Sequence, residues 1–101
     1  MSKAEAGTKL GVSESYDTII GGTVVASTVP SSALTATHAR TFYVLVQCDP
    51  DSAQNAVVGN AHAQWIVLRP GESIEIAISD PVKVFVRAAA ATTTVNWMAL
   101  A

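Results

Sequence analysis

Three isoleucines at every second position, Ile74, Ile76 and Ile78, alternate with Ser73, Glu75, Ala77 and Ser79. A period of two sends successive side chains to opposite faces, so the run predicts a β-strand with one buried and one wet face. Just before it stands Arg69-Pro70-Gly71-Glu72. Proline sets φ near about −65° at the second position of a turn and glycine allows positive φ at the third, which predicts a type II turn between antiparallel strands. With an apolar run from Trp65, a second turn at Asp80-Pro81 and two later apolar runs, residues 65–100 read as a β-meander. Nothing in this stretch is chemically reactive.

The remaining segments also favour strands. Residues 23–29 are rich in Thr and Val and stop at Pro30, which cannot donate to a ladder. A polar connection follows over residues 31–39. In residues 40–48, Phe42, Val44, Val46 and Cys48 share one pleat face while Tyr43 and Leu45 occupy the other, so a central strand covered on both sides is expected. Asp49-Pro50-Asp51-Ser52 breaks it, and Ala56-Val57-Val58 forms a short strand into Gly59-Asn60. Further on, Val82, Val84 and Val86 alternate with Lys83, Phe85 and Arg87. The four alanines from Ala88 to Ala91 are too few for a helix and read as a connection to a closing strand over residues 92–100. About seven short strands predict an all-β fold, a small antiparallel β-sandwich or barrel. It occupies residues 23–101 and carries an extended N-terminal arm over residues 1–22, where Ile19-Ile20 is the apolar cluster. That arm orders against a partner, or else it is a plain disordered tail.

Composition restricts the partners. At 101 residues the chain is a single domain with a modest core, and only 14% of it is charged against roughly 25% in ordinary soluble domains. Half of it is hydrophobic, yet no run is long enough for a membrane span. Uncharged surface on that scale calls for self-association or burial in a larger assembly; the alternative is an Ala-, Ser- and Thr-rich monomer. A net charge of −2, with six dispersed cations at Lys3, Lys9, Arg40, Arg69, Lys83 and Arg87, gives no stripe for a phosphate backbone. Nucleic acid is therefore not an expected partner, and neither is a membrane. The one cysteine, Cys48, makes no internal disulfide, and the first residues lack a signal-peptide core, so synthesis in a cytoplasm is expected.

Residues able to do chemistry are dispersed. His38, His62 and Cys48 lack the short paired spacing of a zinc site, and Cys48, in phase with Val44 and Val46, is expected to be a buried, inert thiol. Asp49, Asp51 and Asn55 share a loop but miss the spacing of a calcium loop, and turn chemistry accounts for both aspartates. Glu72 and Glu75 have no partner base. No catalytic residue, metal site or cofactor is expected, and the chain is read as a non-enzyme. Trp65, Trp97, Tyr43 and Phe85 are expected to supply core mass, the alternative being a platform for sugar.

The order of features resembles small virion proteins of tailed bacteriophages. The resemblance rests on the Arg40-led strand Arg-Thr-Phe-Tyr-Val-Leu-Val, Val57-Val58-Gly59-Asn60, the Leu68-Arg69-Pro70-Gly71-Glu72 hairpin, Val84-Phe85-Val86-Arg87-Ala88 and Thr94-Val95-Asn96-Trp97. It covers residues 23–100, departing at residues 48–55, where the shared plan often has an Asn-rich turn. What it implies is a capsid decoration, or cement, protein on the outer phage head, made in the host cytoplasm. It would be a homo-oligomer, a trimer in the first instance, bound to the major capsid protein. The contact would lie in the arm, at Lys3, Lys9, Leu10, Tyr16, Ile19 and Ile20. The alternative implied is a tail- or head-fibre-associated module that recognises a glycan or a host surface.

Overall fold

Eight strands and one 3-10 turn follow one another: β1 (Ile19–Ser27), β2 (Ser32–Ala33), β3 (Tyr43–Cys48), β4 (Ala56–Gly59), β5 (Gln64–Leu68), β6 (Ser73–Ala77), the turn Pro81–Lys83, β7 (Phe85–Ala88) and β8 (Thr92–Leu100). The structure is a computed structural model and describes residues 18–101. The expectations for Lys3, Lys9, Leu10 and Tyr16 lie outside the described residues.

The strands form two four-stranded antiparallel sheets, ordered β1-β8-β3-β6 and β2-β7-β4-β5. This is the strand order of a jelly roll, two Greek keys folded into a sandwich. The expected all-β sandwich is what the chain forms. The eighth strand is β2, two residues within the segment read as a polar connection.

Two expectations need correction. The meander does not exist as a run of paired neighbours: among the described residues the one pairing between consecutive strands is β4 with β5. The turn at residues 69–72 has the predicted form, with Glu72 N–H donating to the Arg69 carbonyl at 2.8 Å and Gly71 at φ +91°. It carries the chain from one sheet to the other instead of closing a hairpin. Unprimed turns splay their flanking strands, whereas tight hairpins favour the primed forms. The turn is also pinned from outside, because Gly71 N–H donates to the Cys48 carbonyl and Cys48 N–H to the Glu72 carbonyl. The second correction concerns the domain boundary at residue 22, which falls inside β1. Ile19 pairs with Leu100 and Gly22 with Trp97, in a ladder that runs without interruption to Ser27 opposite Thr92.

The core lies between the sheets and is built from small branched side chains. Val44, Val46 and Val95 of the first sheet face Val58 and Val86 of the second, with Val84 just before β7, all fully buried. Each such valine contributes about 1.5 kcal/mol or more of burial free energy. Among the described core residues Trp97 is the one large ring, and its indole packs beside Gly22, where a Cβ would make ordinary contact with it at 3.4 Å. Trp65 departs from the core role expected of it: it is 65% exposed, on the edge strand β5.

Candidate functional site

The outer face of the first sheet is where the alternation of β1, β3 and β8 puts the residues that do not enter the core. Antiparallel pairing aligns Ile19 with Leu100 in one row, with Tyr43 on the neighbouring strand, and Gly21 with Met98 and Leu45 in the next. Ile19 is 69% exposed, Tyr43 55%, Met98 48% and Leu100 44%, so these side chains form a contiguous apolar surface. On β6 the same rows hold Ala77 and Glu75. Glu75 is the single charged side chain among these row positions.

Toward the other end the face turns polar. Thr23, Asn96, Gln47 and Ser73 form the next row. Asn96 Nδ2 donates to Asp49 Oδ2 at 2.9 Å and to Gln47 Oε1 at 3.3 Å, while Thr23 Oγ1 donates to Asn96 Oδ1 at 3.0 Å. The bond from Asn96 holds the Asp49 carboxyl below the usual carboxylate range, helped by the Asp51 N–H and opposed by slight desolvation. The carboxylate is therefore occupied by turn and sheet contacts: its Oδ1 accepts the Asp51 N–H at 2.8 Å. A shallow cleft of about 200 Å³ at the polar-to-apolar boundary, lined by Leu45, Gln47, Ser73, Asn96 and Met98, falls below the roughly 300–1,000 Å³ of pockets that enclose a small molecule.

Between the edges β5 and β6 the sandwich gapes into a second cleft of about 280 Å³, lined by Val58, Ile66, Ile74, Ile76, Ile78 and Val84. Trp65 also lines it, and among the described residues its polar lining comes from Asn60 and Lys83. A third crevice, of about 360 Å³, lies beside Ile20 and Gly21 and is walled by Thr35, Thr37 and His38.

The residues singled out for chemistry stay apart. His38 Nδ1 lies 2.6 Å from Asp80 Oδ2, and this pair closes the loop before β3 onto the turn at Pro81–Lys83, whose first N–H groups Asp80 also caps. His38 is 78% exposed at its side chain, and among the described residues no nucleophile is bonded to it. Cys48 is buried, its Sγ 3.5 Å from both the Gln54 carbonyl oxygen and Thr93 Oγ1. His62 lies in the exposed β4–β5 loop. Among the described residues no group of three His, Cys, Asp or Glu side chains gathers where a metal ion would sit.

Of the two predicted contact residues within the described chain, Ile19 stands at the exposed corner of the apolar face and Ile20 packs half-buried against the core. Leu45, Met98 and Leu100 were not expected as contact residues, and Tyr43 was expected in the core or, alternatively, in a platform for sugar. For Tyr43 and Leu45 the signal was present in β3, whose two apolar faces implied cover on both sides; among the described residues the outer side is open.

The fold and surface together define a small jelly-roll domain with an apolar outer sheet. No family model, no curated protein and no solved structure matches the chain.

Proposed function

We propose that the protein is a virion structural component of a tailed bacteriophage, a head-decoration protein that seats on the major capsid protein and works without catalysis. The observation that carries this reading is the exposed apolar surface made by Ile19, Tyr43, Met98 and Leu100 beside a single carboxylate, Glu75. Exposed apolar patches of this kind mark sites of association. Four strands about 4.8 Å apart and some four residues long offer roughly 250 Å², about a third of the roughly 800 Å² each partner gives to a standard interface. One such contact is weak. Repeated over a shell lattice, and joined to the residues that precede β1, weak contacts add up to firm attachment. Jelly rolls recur in viral capsids, an analogy of fold that supports the reading without carrying it.

Full-length protein titrated onto undecorated phage heads should bind saturably, and Met98→Lys or Tyr43→Lys should weaken binding by tenfold or more. Absence of saturable binding by the wild-type chain would remove the proposal. A second reading, a glycan-binding module, is favoured by one feature: Trp65 is 65% exposed on the second sheet, next to Gln64 and the Asn60–His62 loop. Tyr43 lies on the first sheet and Trp97 is buried, so neither joins Trp65 in a shared platform. Saccharide titrations followed by Trp65 fluorescence test it.

A further inference from the structure

The described chain has four edge strands, and three of them carry features that discourage pairing. β2 has two residues and follows Pro30; β6 has five and carries Glu75; β5 has five and lies beside the register shift at Val58/Gly59. β1 is different. It is nine residues long, Ile-Ile-Gly-Gly-Thr-Val-Val-Ala-Ser, with no charge, no proline and no bulge in its ladder to β8. Among the described residues its backbone has a partner strand on the β8 side only. Natural sheets blunt such edges unless the edge is used, because a row of unpaired N–H and C=O groups is a template for another strand.

The sequence of β1 also says which strand fits. Turned antiparallel to itself about Thr23, it sets Ile19 against Ser27, Ile20 against Ala26, Gly21 against Val25 and Gly22 against Val24, with Thr23 against Thr23. Every β-branched aliphatic side chain then meets Gly, Ala or Ser, and the central pair is a threonine pair, a favourable cross-strand combination. Inward residues stay opposite inward residues and outward opposite outward, so the pleats agree. We propose that β1 pairs antiparallel with β1 of a second copy across a two-fold axis at Thr23, forming a dimer with a continuous eight-stranded sheet. The contact is isologous and closes on itself, so it stops at two copies. It sets a dimer in place of the trimer that the phage resemblance implies, aligns the two apolar outer faces side by side, and holds whether or not the protein coats a phage head.

The register makes the test specific. Directly opposed residues of an antiparallel pair have Cα atoms about 4.5–5.5 Å apart, within reach of a disulfide, whereas residue 25 and its symmetry mate are separated by roughly 13 Å along the strand. The full chain carrying Thr23→Cys, oxidised and run without reductant, should migrate as a cross-linked dimer; Val25→Cys and the wild type, with only buried Cys48, should not. Thr23→Lys and Thr23→Glu each place like charges on the axis and should sediment as monomers, and their equimolar mixture should restore the dimer mass. Circular dichroism of each variant checks that the fold is kept. A wild-type chain that sediments as a monomer, or folded Thr23→Lys and Thr23→Glu variants that each keep the dimer mass, would overturn the proposal. So would equal cross-linking of Thr23→Cys and Val25→Cys.

Discussion

Gly59 lies so close to Ala63 that a Cβ at position 59 would overlap the Ala63 carbonyl oxygen. The contact belongs to the tight closure of β4 onto β5, where the register shifts after Val58 and Asn60 N–H donates to the same Ala63 oxygen at 2.8 Å. Backbone, unlike a side-chain tip, cannot swing away. Gly59→Ala should therefore destabilise the protein by about 2 kcal/mol or more, read as a lower midpoint in urea. Gly71 is the contrasting case. Nothing would meet its Cβ, but its φ is +91°, so Gly71→Ala should cost only about 1 kcal/mol, from backbone strain alone.

The reverse argument applies at Ala91, which holds φ +49° in the turn between β7 and β8. A left-handed backbone costs an alanine roughly 1 kcal/mol, and glycine removes that cost while adding a smaller entropy to the unfolded chain. Ala91→Gly should raise stability by about 0.5 kcal/mol. Ala90→Gly, one residue away and without positive φ, should lower it, so the pair of variants separates strain relief from a general effect of loop glycine.

The strands were legible in the sequence wherever one phase was apolar and the other polar, as in Ile74, Ile76 and Ile78, and the turn at residues 69–72 was legible to its glycine. Pairing was not, because it depends on contacts between distant segments. β6 lies against β3, which ends some 25 residues earlier, and no local signal distinguishes that from a hairpin with β5. β2 is a Ser-Ala dipeptide held by pairing with Val86 and Phe85. Gly21-Gly22 resembles linker, yet those glycines sit in a strand because they pair with Met98 and Trp97 of β8, so close at Gly21 that a Cβ would overlap the Trp97 carbonyl oxygen. The candidate surface was hidden for a related reason: Tyr43 and Leu45, apolar in both phases of β3, look the same in sequence whether they face a core or a partner.

The two tryptophans should report opposite surroundings. Trp97 is 9% exposed within the core and Trp65 is 65% exposed on an edge strand. In the native protein acrylamide should quench Trp65 and spare Trp97, so Trp65→Phe should leave a blue-shifted, protected emission. Trp97→Ala should cost about 3–5 kcal/mol, enough to unfold a domain of this size, whereas Trp65→Ala should stay within about 0.5 kcal/mol of wild type. A large loss from Trp65→Ala would show that β5 is covered in solution.

Acid should weaken the fold through three carboxylates. The Asp80 carboxyl is held below its ordinary range mainly by the bond with His38, against some desolvation and with help from the Val82 and Ala39 N–H groups. Glu72 is lowered by the Arg69 side chain, then by the Arg69 N–H, and Asp49 by Asn96, then by the Asp51 N–H. A carboxyl whose folded pKa is depressed contributes stability that is present above its unfolded value, about 4, and is lost as pH falls through the lower folded value. Urea midpoints should accordingly be flat above about pH 5 and fall below about pH 4. Glu72 is well exposed and its share should be small and weaker in high salt, whereas the Asp80 side chain is only 19% exposed and should carry more of the fall. Asp80→Asn keeps an oxygen to cap the Val82 N–H but removes the charge that His38 faces. It should lower stability slightly at neutral pH and flatten the acid limb; an acid limb as steep as that of wild type would exclude the His38–Asp80 pair as a source of it.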